Sequence, residues 1–350
     1  MNFASDNTSP VPPQIIENIK AANDGYQISY GEDDYMYKLS DRIKNIFEKD
    51  EATVFLVSTG TAANSLALAC LSNPWDTIFC TPLSHLHQDE CNAPEFFTGG
   101  AKLTLVGQSD KINPAELNAT MLSEETRGIH GPQRGPISIT QVTERGRCYS
   151  LQEIYQISKI KSEFNSKLHM DGARFGNALS ALNCTAADMT WKAGVDAVTF
   201  GCTKNGLMGA EAVIFFNNEH AREFELRRKR AGHLLSKNRY LSAQMLGYLE
   251  NDLWLDLAKS ANSSARNLAA LLSSLSYVKL HHQPDANIIF ADMPRRVHQQ
   301  LLQAGVQYYL RNGSFEGDLD EPLTGRFVCS WSTTEKDIEE LSAVVKKLIY

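Results

Sequence analysis

The sequence lacks any long uncharged apolar segment, and no run approaches the roughly 18 residues that a membrane-spanning helix needs. Its first residues contain no basic stretch followed by an apolar one, so no secretory signal is expected there. The formal net charge is -7, and the acidic residues are interspersed rather than gathered in a block. We therefore expect no membrane anchor and no electrostatic footprint for nucleic acid.

Cysteine is scarce and scattered. The seven cysteines form neither Cys-x-x-Cys pairs nor Cys/His clusters with the spacing of zinc ligands. Their number is odd, which does not suit a complete disulfide framework. We expect reduced thiols, no metal site and a cytoplasmic protein.

Short apolar segments alternate with longer amphipathic ones in this chain of 350 residues, of which 43% are hydrophobic. We predict strands at residues 53–57, 76–80, 102–106, 136–142, 167–170, 197–200 and 212–216. Residues 62–71 and 151–158 have the composition or the apolar spacing of crossover helices. The alternation predicts a large α/β/α domain with a mostly parallel sheet.

The pattern changes near residue 251. We predict a helix at 253–275, a strand at 286–291, a helix at 297–305, a strand at 326–330 and a final helix at 335–348. We therefore place a large domain at residues 1–252 and a smaller C-terminal α+β domain at 253–350. No long Gly/Ser/Pro linker separates them, so we expect a shared interface with the active site near it.

Residues 58–64, Ser-Thr-Gly-Thr-Ala-Ala-Asn, follow an apolar strand and open a helix. Free backbone N–H groups and the positive end of the helix dipole make such a turn a phosphate site. An ordinary strand-to-helix turn with a threonine N-cap explains the segment equally well. It is neither a P-loop nor a dinucleotide fingerprint, because the Gly-Lys-Ser/Thr ending and the three-glycine spacing are missing.

Two further motifs stand at predicted strand ends. In Met-Asp-Gly-Ala-Arg, at residues 170–174, Asp171 and Arg174 would face the ligand crevice of an open parallel sheet. A structural Asp–Arg pair is the alternative. Lys204 follows the strand at 197–200 and precedes an apolar segment, which suits an amine that forms a Schiff base. A lysine that extends from the sheet edge to solvent is the alternative there.

The joint order of these motifs resembles the L-threonine aldolases, which are enzymes of the aspartate-aminotransferase-like fold (fold type I) that depend on pyridoxal 5′-phosphate (PLP). The resemblance extends from the N-terminus to the last helix, and it is strongest to the low-specificity and phenylserine aldolase branch. The matching pieces are Ser5-Asp6, Tyr30-Gly31-Glu32-Asp33, Gly60-Thr61, Ser84-His85, Asp171-Gly172-Ala173-Arg174, Thr203-Lys204-Asn205-Gly206 and Arg326.

The resemblance implies a role for each matching position. Lys204 would carry PLP covalently, Asp171 would pair with the pyridine nitrogen, and Gly60 and Thr61 would hold the phosphate. His85 would stack on the ring and act in catalysis. Ser5 on an N-terminal arm, Arg174 and Arg326 would bind the substrate carboxylate, with Arg174 also beside the cofactor. Tyr30 and residues 230–239 match segments that approach the active site of a neighbouring subunit, so a homo-oligomer, a dimer or a tetramer, is expected.

The implied reaction is the retro-aldol cleavage of β-hydroxy-α-amino acids, such as threonine, allo-threonine or phenylserine, to glycine and an aldehyde. One departure concerns the base: Glu144 stands where many threonine aldolases have a histidine, so His85 or a water would take the hydroxyl proton. His87, two residues from His85, is a competing histidine. Two other functions stay open: a PLP-dependent β-eliminating lyase acting on an aromatic amino acid, and a non-catalytic protein with a damaged cofactor site.

Overall fold

A seven-stranded sheet forms the centre of the computed structural model, which describes residues 1–347. Its spatial order is β1-β7-β6-β5-β4-β2-β3. The strands are β1 (Thr53–Val57), β2 (Asp76–Cys80), β3 (Lys102–Leu105), β4 (Gln133–Thr140), β5 (Leu168–Gly172), β6 (Ala197–Gly201) and β7 (Glu211–Phe215). All seven predicted strands are confirmed. Strand β4 begins three residues and ends two residues earlier than predicted, and the Gln141 side chain that follows it bonds to the backbone of Tyr149.

Strand direction in this sheet is parallel from β3 through β2, β4, β5 and β6, whereas β7 is antiparallel to both β6 and β1. Only residues 202–210 connect β6 to β7, which is too short for the crossover that a parallel pair requires. Because β1 and β6 are both antiparallel to β7, β1 runs parallel to β6 and to β5. The carboxyl ends of β1, β5 and β6 therefore meet at one edge.

Helices cover both faces of the sheet, as an α/β/α arrangement requires. They are α1 (Pro13–Ala21), α2 (Asp34–Ile46), α3 (Gly60–Leu71), α4 (His85–Gln88), α5 (Ala93–Thr98), α6 (Pro114–Ser123), α7 (Leu151–Glu163), α8 (Phe175–Leu182), α9 (Ala186–Met189), α10 (Ala221–Arg230) and α11 (Arg239–Leu249). In β1, Val54 and Leu56 belong to one apolar core, whereas Phe55 and Val57 pack with α3 and α10 in another. The alternation of side chains along a strand explains this division.

A second, antiparallel sheet of four strands has the order β10-β11-β9-β8. The elements here are α12 (Leu253–Ser273), β8 (Lys279–Leu280), β9 (Ile288–Pro294), α13 (Arg295–Gln303), β10 (Tyr309–Leu310), β11 (Pro322–Val328) and α14 (Glu335–Val345). The predicted α+β pattern is confirmed, and the expected last helical residue, Leu348, lies outside the described residues. Strands β8 and β10 were not predicted because two residues carry no alternating pattern.

Helix α12 joins the two parts of the molecule. Trp254 and Leu257 near its start lie in the core of the large sheet, whereas Leu268 and Leu272 near its end lie in the core of the small sheet. The helix therefore contacts α8 on one side and α14, β8 and β9 on the other. The domain boundary at residues 252 and 253 stays a prediction.

The N-terminal arm, residues 1–8, packs on the small sheet. Asn2 forms a parallel bridge with Gln307, and Phe3 is buried in the core of the small domain. The Phe3 carbonyl accepts a hydrogen bond of 2.8 Å from the N–H of Val328 at the end of β11. A 3₁₀ turn, Asp6–Thr8, follows, and Ser5 caps it by accepting a hydrogen bond from Asn7 N.

No helix in the described part of the chain is long and apolar enough to cross a membrane. Within residues 1–347 there is also no cluster of three or more His, Cys, Asp or Glu residues that is arranged to hold a metal ion. The seven cysteines are all unpaired, and Cys91 is the exposed one among them.

Candidate active site

Three of the sequence motifs lie at the edge where the carboxyl ends of β1, β5 and β6 meet. Gly60 is the first residue of α3, which follows β1 after a two-residue turn. Asp171 is the penultimate residue of β5, and Lys204 lies in the 3₁₀ turn Thr203–Asn205 after β6. This is the position at which open α/β sheets bind ligands.

Two adjoining cavities meet at this edge, and His85 and Lys204 line both. The helix-end cavity, about 260 Å³, contains Ser58, Thr59, Gly60 and Thr61. The arginine-end cavity has a volume of about 340 Å³ and contains Ser5, Asn7, His85, Asp89, Glu144, Arg174, Lys204, Tyr309, Leu310, Arg311 and Arg326. A larger depression between α3, α5 and α10 contains none of the motif residues.

The start of α3 gives the helix-end cavity its anion-binding character. Thr59 caps the helix by accepting a hydrogen bond of 3.2 Å from Ala62 N. The N–H groups of Gly60 and Thr61 have no acceptor within the helix, and its first turn contains no acidic residue. Free N–H groups and the helix dipole favour a phosphate here.

Lys204 is half-buried and lies between the two cavities. In the described part of the chain its Nζ forms no hydrogen bond and no ion pair. Gly201, just before this turn, lets β6 approach the loop after β5, since a Cβ atom there would lie 2.5 Å from Ala173 Cα. An amine held without a partner at a ligand cavity is the arrangement that a covalent cofactor bond requires.

Asp171 is buried, with 2% of its surface exposed. Its Oδ1 accepts a hydrogen bond of 3.0 Å from Ala173 N, and its Oδ2 accepts one of 3.1 Å from Asn64 Nδ2. Among the described residues no cation lies within ion-pair distance of this carboxylate. Since a buried carboxylate is costly without a positive partner, the site is suited to a protonated ring nitrogen.

His85 is bound to a buried carboxylate. Its Nδ1 lies 2.8 Å from Glu90 Oε1, which also accepts a hydrogen bond of 2.9 Å from Asn64 Nδ2. Burial opposes the charged form of His85, but the hydrogen bond to Glu90 and the charge of Asp171 outweigh it and raise the pKa of His85. Burial and the charge of Asp171 also raise the pKa of Glu90. His85 therefore lies next to two carboxylates, those of Glu90 and Asp171, that favour its protonated form.

His87 is exposed and lines neither cavity, because the short helix α4 turns it away from His85. Of the two histidines in this segment, the geometry thus favours His85 as the ring that meets the cofactor. Its stacking on the pyridine ring stays a prediction.

Arg174 is already engaged by the protein. Its Nε and one terminal nitrogen donate to the two carboxylate oxygens of Asp6, at 2.7 and 3.0 Å. Both side chains are buried, and Asn287 donates a further hydrogen bond of 3.0 Å to Asp6. Burial opposes the charge of Asp6, yet the charge and hydrogen bonds of Arg174 hold its pKa below the ordinary value. This pair fixes the N-terminal arm to the large domain, and a direct contact between Arg174 and substrate or cofactor stays a prediction.

Arg326 lies at the centre of β11 and reaches the arginine-end cavity with little to neutralise it. Its Nη1 donates weakly, at 3.4 Å, to the carbonyl of Ala4. Burial and the nearby charge of Arg174 lower the pKa of Arg326. Ser5 lies beside it in the same cavity. An under-compensated guanidinium next to a hydroxyl group suits a carboxylate ligand. The substrate-binding roles of Arg326 and Ser5 stay predictions.

Glu144 also lines the arginine-end cavity, and its charge acts on both Arg174 and Arg326. The segment before it is fixed by a hydrogen bond of 2.6 Å from Thr143 Oγ1 to Asp110. The departure noted in the sequence thus lies inside the site. It places a carboxylate, not an imidazole, in a cavity that His85 also lines.

These residues fit PLP. The unpaired Lys204 amine, the buried Asp171 carboxylate without a cation and the free N–H groups at Gly60 and Thr61 correspond to the aldehyde, ring nitrogen and phosphate of the cofactor. Among the described residues, Lys204 is the only lysine or arginine that lines the helix-end cavity. The hypothesis of a non-catalytic protein predicts that some of the cofactor-binding residues are missing, whereas Lys204, Asp171, Gly60 and Thr61 are all in place.

Tyr30 and residues 230–239 pack against each other beside the helix-end cavity. Tyr30 N donates to the carbonyl of Ser236 at 3.0 Å, and Lys229 Nζ lies 4.6 Å from the Tyr30 ring. His233 Nδ1 in turn lies 3.4 Å from Ser58 Oγ. Two segments predicted to lie near a subunit interface are thus neighbours in the structure.

Sequence reasoning missed three residues of the site: Asp6, Asn64 and Glu90. Asp6 and Asn64 were quoted within motifs but given no role, because their partners are distant in the chain. Glu90 carried one local signal, its position five residues after His85 beyond a short helix. No periodic pattern would have distinguished it from a surface glutamate.

The fold and this site define a PLP-dependent lyase of fold type I. The chain belongs to the β-eliminating lyase family, whose model matches residues 2–295. It is 39% identical over 348 residues to a low specificity L-threonine aldolase from Pseudomonas sp. (strain NCIMB 10558), covering 99% of this chain and 97% of that protein. The resemblance to threonine aldolases is thereby confirmed.

Solved structures agree. The fold matches that of a Leishmania major threonine aldolase with a TM-score of 0.91 and 26% identity, covering 100% of this chain and 99% of the other. A serine palmitoyltransferase from S. paucimobilis with bound PLP matches with a TM-score of 0.70 and 14% identity, over 98% of this chain and 86% of the other. The second match supports the fold alone.

Proposed function

We propose that this protein is an aldolase that cleaves β-hydroxy-α-amino acids, such as threonine, allo-threonine or phenylserine, to glycine and an aldehyde. One observation carries the proposal: Lys204, His85 and Arg326 converge on a single cavity beside Asp171. PLP supplies, when bound, the electron sink that accepts the electron pair of the breaking Cα–Cβ bond. A relative that covers nearly the whole chain is named a low specificity L-threonine aldolase, which supports this choice.

The residues of the arginine-end cavity orient the substrate. Arg326 and Ser5 hold the carboxylate of the substrate, and Arg174 adds positive charge while it remains bound to Asp6. A carboxylate fixed at this end places the Cβ substituent towards His85 and Glu144. Orientation of this kind lowers the barrier because the groups that react are already aligned.

His85 is the proposed base for the β-hydroxyl group. It lines both cavities, and its Nε2 has no hydrogen-bond partner in the described part of the chain. Glu144 is a less suitable base, because a carboxylate is in general a weaker base than an imidazole at neutral pH.

We further propose that the enzyme is a cytoplasmic homo-oligomer, a dimer or a tetramer, with active sites near the subunit interface. Among the described residues that line the helix-end cavity, Lys204 is the only lysine or arginine, although a phosphate carries about two negative charges. Tyr26, Ile28 and Met208 are exposed, with relative surface areas of 104%, 70% and 57%. A second subunit would cover such side chains and bring cationic groups to the phosphate.

An absorbance spectrum before and after borohydride reduction, combined with a glycine assay on L-threonine and L-phenylserine, tests this function. A yellow protein, a cofactor fixed to the peptide that contains Lys204 and release of glycine are expected. Pyruvate and ammonia as products would instead identify a β-eliminating lyase acting on an aromatic amino acid. A colourless protein that binds no added PLP would overturn both.

A further inference from the structure

Glu90 has no role in the proposed reaction, yet it is among the most buried acidic side chains at the site. It is 3% exposed, and its Oε2 has no hydrogen-bond partner in the described part of the chain. Its Oε1, by contrast, accepts from His85 Nδ1 and from Asn64 Nδ2. Burying a carboxylate with one oxygen left without a hydrogen bond lowers the stability of the folded protein. We therefore expect Glu90 to serve a function that offsets this cost.

We propose that Glu90 is a positioning residue, which holds the Nδ1 proton of His85 so that Nε2 is the acceptor for the β-hydroxyl proton. This inference rests on the proposed aldolase function. The two nitrogens of an imidazole ring are on opposite sides, and a carboxylate on one of them fixes both the orientation and the tautomer of the ring. With Nδ1 at 2.8 Å from Glu90 Oε1, Nε2 is the nitrogen left for the cavity.

The same carboxylate is connected to the cofactor side of the site. Asn64 Nδ2 lies 2.9 Å from Glu90 Oε1 and 3.1 Å from Asp171 Oδ2. One amide group thus holds two acidic side chains in place, one assigned to the base and the other to the ring nitrogen. A shift of Glu90 therefore changes the position of both, which is how outer groups tune a functional histidine.

The proton balance of the step is simple. The β-hydroxyl proton moves to His85 Nε2, the Cα–Cβ bond breaks, and the C–O bond becomes the carbonyl of the aldehyde. The Nδ1 proton stays on His85 and is donated to Glu90 throughout, as it is to the orienting carboxylate of a catalytic triad. Over the whole cycle, one proton leaves the β-hydroxyl group for His85 and one proton is added at Cα of glycine. The cycle therefore needs no external acid, oxidant or reductant.

Several charged groups face His85 and bear on its titration. Glu90 and Asp171 favour its protonated form, whereas Lys204 disfavours it. The other charged groups that line the two cavities with His85 are Asp89, Glu144, Arg174, Glu211, Arg311 and Arg326. Because the hydrogen bond to Glu90 is the largest favourable contribution, loss of the Glu90 charge lowers the pKa of His85.

The variant Glu90→Gln in the holoenzyme tests the role. We expect kcat for L-threonine to fall roughly 10–100-fold, with little change in KM, because the amide no longer selects one tautomer. The acidic limb of the kcat profile should move to lower pH. Glu90→Asp retains the charge and should keep the limb near its wild-type position. Glu153→Gln is the matched control, since Glu153 is also a carboxylate in an ion pair, with Lys111, but lies far from the cavities.

A chemical measurement on the full-length chain without cofactor complements the kinetics. Diethylpyrocarbonate modifies neutral imidazole, and the His85 side chain is 28% exposed, so its reaction can be followed by peptide mass spectrometry across pH. In the wild type the midpoint for His85 should lie above the ordinary histidine value of about 6.5. In Glu90→Gln it should lie lower.

The outcomes separate this inference from the proposed function. A wild-type midpoint at or below the ordinary value would overturn the role of Glu90 even if the variant failed to fold. An unchanged kcat profile in Glu90→Gln would do the same, while glycine release by the wild type would leave the aldolase function standing. We also expect Glu90→Gln to add little to the defect of His85→Asn, because the two residues act as a unit.

Discussion

The two sides of the active site are built in different ways. The sheet side contains Gly60, Asp171 and Lys204, each at or just after the end of a strand of the large sheet. The terminal side contains Ser5 and Asp6 of the N-terminal arm and Arg326 of β11. On the sheet side the geometry follows from neighbouring strands, whereas the terminal side depends on contacts between the two ends of the chain, such as Arg326 with Ala4.

The two sides therefore serve different tasks, cofactor binding and substrate binding. The sheet side offers what PLP needs, and each of its residues is held by a segment that lies at or just after a strand end. The terminal side offers what the substrate carboxylate needs, and the Asp6–Arg174 ion pair is its principal connection to the large domain. Cofactor retention and substrate capture should therefore be separable by mutation.

The largest effect should come from the sheet side, in Lys204→Ala. We expect turnover to fall at least ~10⁴-fold, because no other amine in the helix-end cavity is able to replace Lys204. Borohydride should no longer fix the cofactor to this peptide, which mass spectrometry detects. Lys192→Ala, at an exposed ion pair with Glu48, is the control. Near-normal turnover in Lys204→Ala would show that another residue carries the cofactor.

The second largest effect is expected on the terminal side, in Asp6→Asn. Removal of one partner of a buried ion pair leaves Arg174 uncompensated, at a cost of about 3–5 kcal/mol in the free energy of unfolding. Because Arg174 holds the pKa of Asp6 below its ordinary 3.8, the stabilisation is complete above that pH and is lost as the pH falls below it. The urea midpoints of the variant and the wild type should therefore differ widely at pH 7 and less at pH 3.

The exposed Asp41→Asn change is the control for Asp6→Asn, and it should leave the urea midpoint unchanged. A gap between Asp6→Asn and wild type that is equally wide at both pH values would contradict a charge-based role for Asp6.

A smaller and more selective effect is expected for Arg326→Gln. Loss of a charged hydrogen-bond donor to the substrate carboxylate should raise KM by roughly 10–100-fold, since such bonds contribute about 1.5–3 kcal/mol. The spectrum of bound PLP should stay unchanged, because Arg326 lies on the terminal side. Arg326→Lys, which keeps the charge, should recover part of the affinity. A loss of bound cofactor in Arg326→Gln would show that the two sides are not separable.

The smallest effect is expected for Glu144→Gln. Glu144 competes electrostatically with the substrate carboxylate for Arg326, so its neutralisation should lower KM about two- to fivefold, as for an exposed ion pair worth up to about 1 kcal/mol. Steady-state kinetics on L-threonine measure this. A hundredfold fall in kcat would instead make Glu144 the base and His85 a ring-stacking residue.

The sheet side was largely accessible from sequence because its signals are local. Buried strands of about five residues form continuous apolar runs, and Asp171 and Lys204 follow such runs directly. Strand direction was also inferred correctly in outline. The antiparallel β7 was not stated, although its short connection from β6 requires it.

The terminal side was less accessible because its contacts are distant in the chain. The resemblance indicated Ser5 and Arg326, but the engagement of Arg174 by Asp6 joins residues 168 positions apart and leaves no periodic trace. Strands β8 and β10 are too short to show a pattern. Glu90 and Asn64 were missed for a related reason, since the value of each depends on a partner that only the fold supplies.

The N-terminal arm also sets an order of events during synthesis. Ala4 and its partner Arg326 lie 322 residues apart, so Arg326 is synthesised long after Ala4. Arg174, the partner of Asp6, and Lys204 are both synthesised before Arg326, and domains generally fold as units as they emerge. The sheet side can therefore form, with Asp6 bound to Arg174, while Ala4 still lacks its contact with β11. We expect the side that binds the substrate carboxylate to be completed only after β11 has been synthesised.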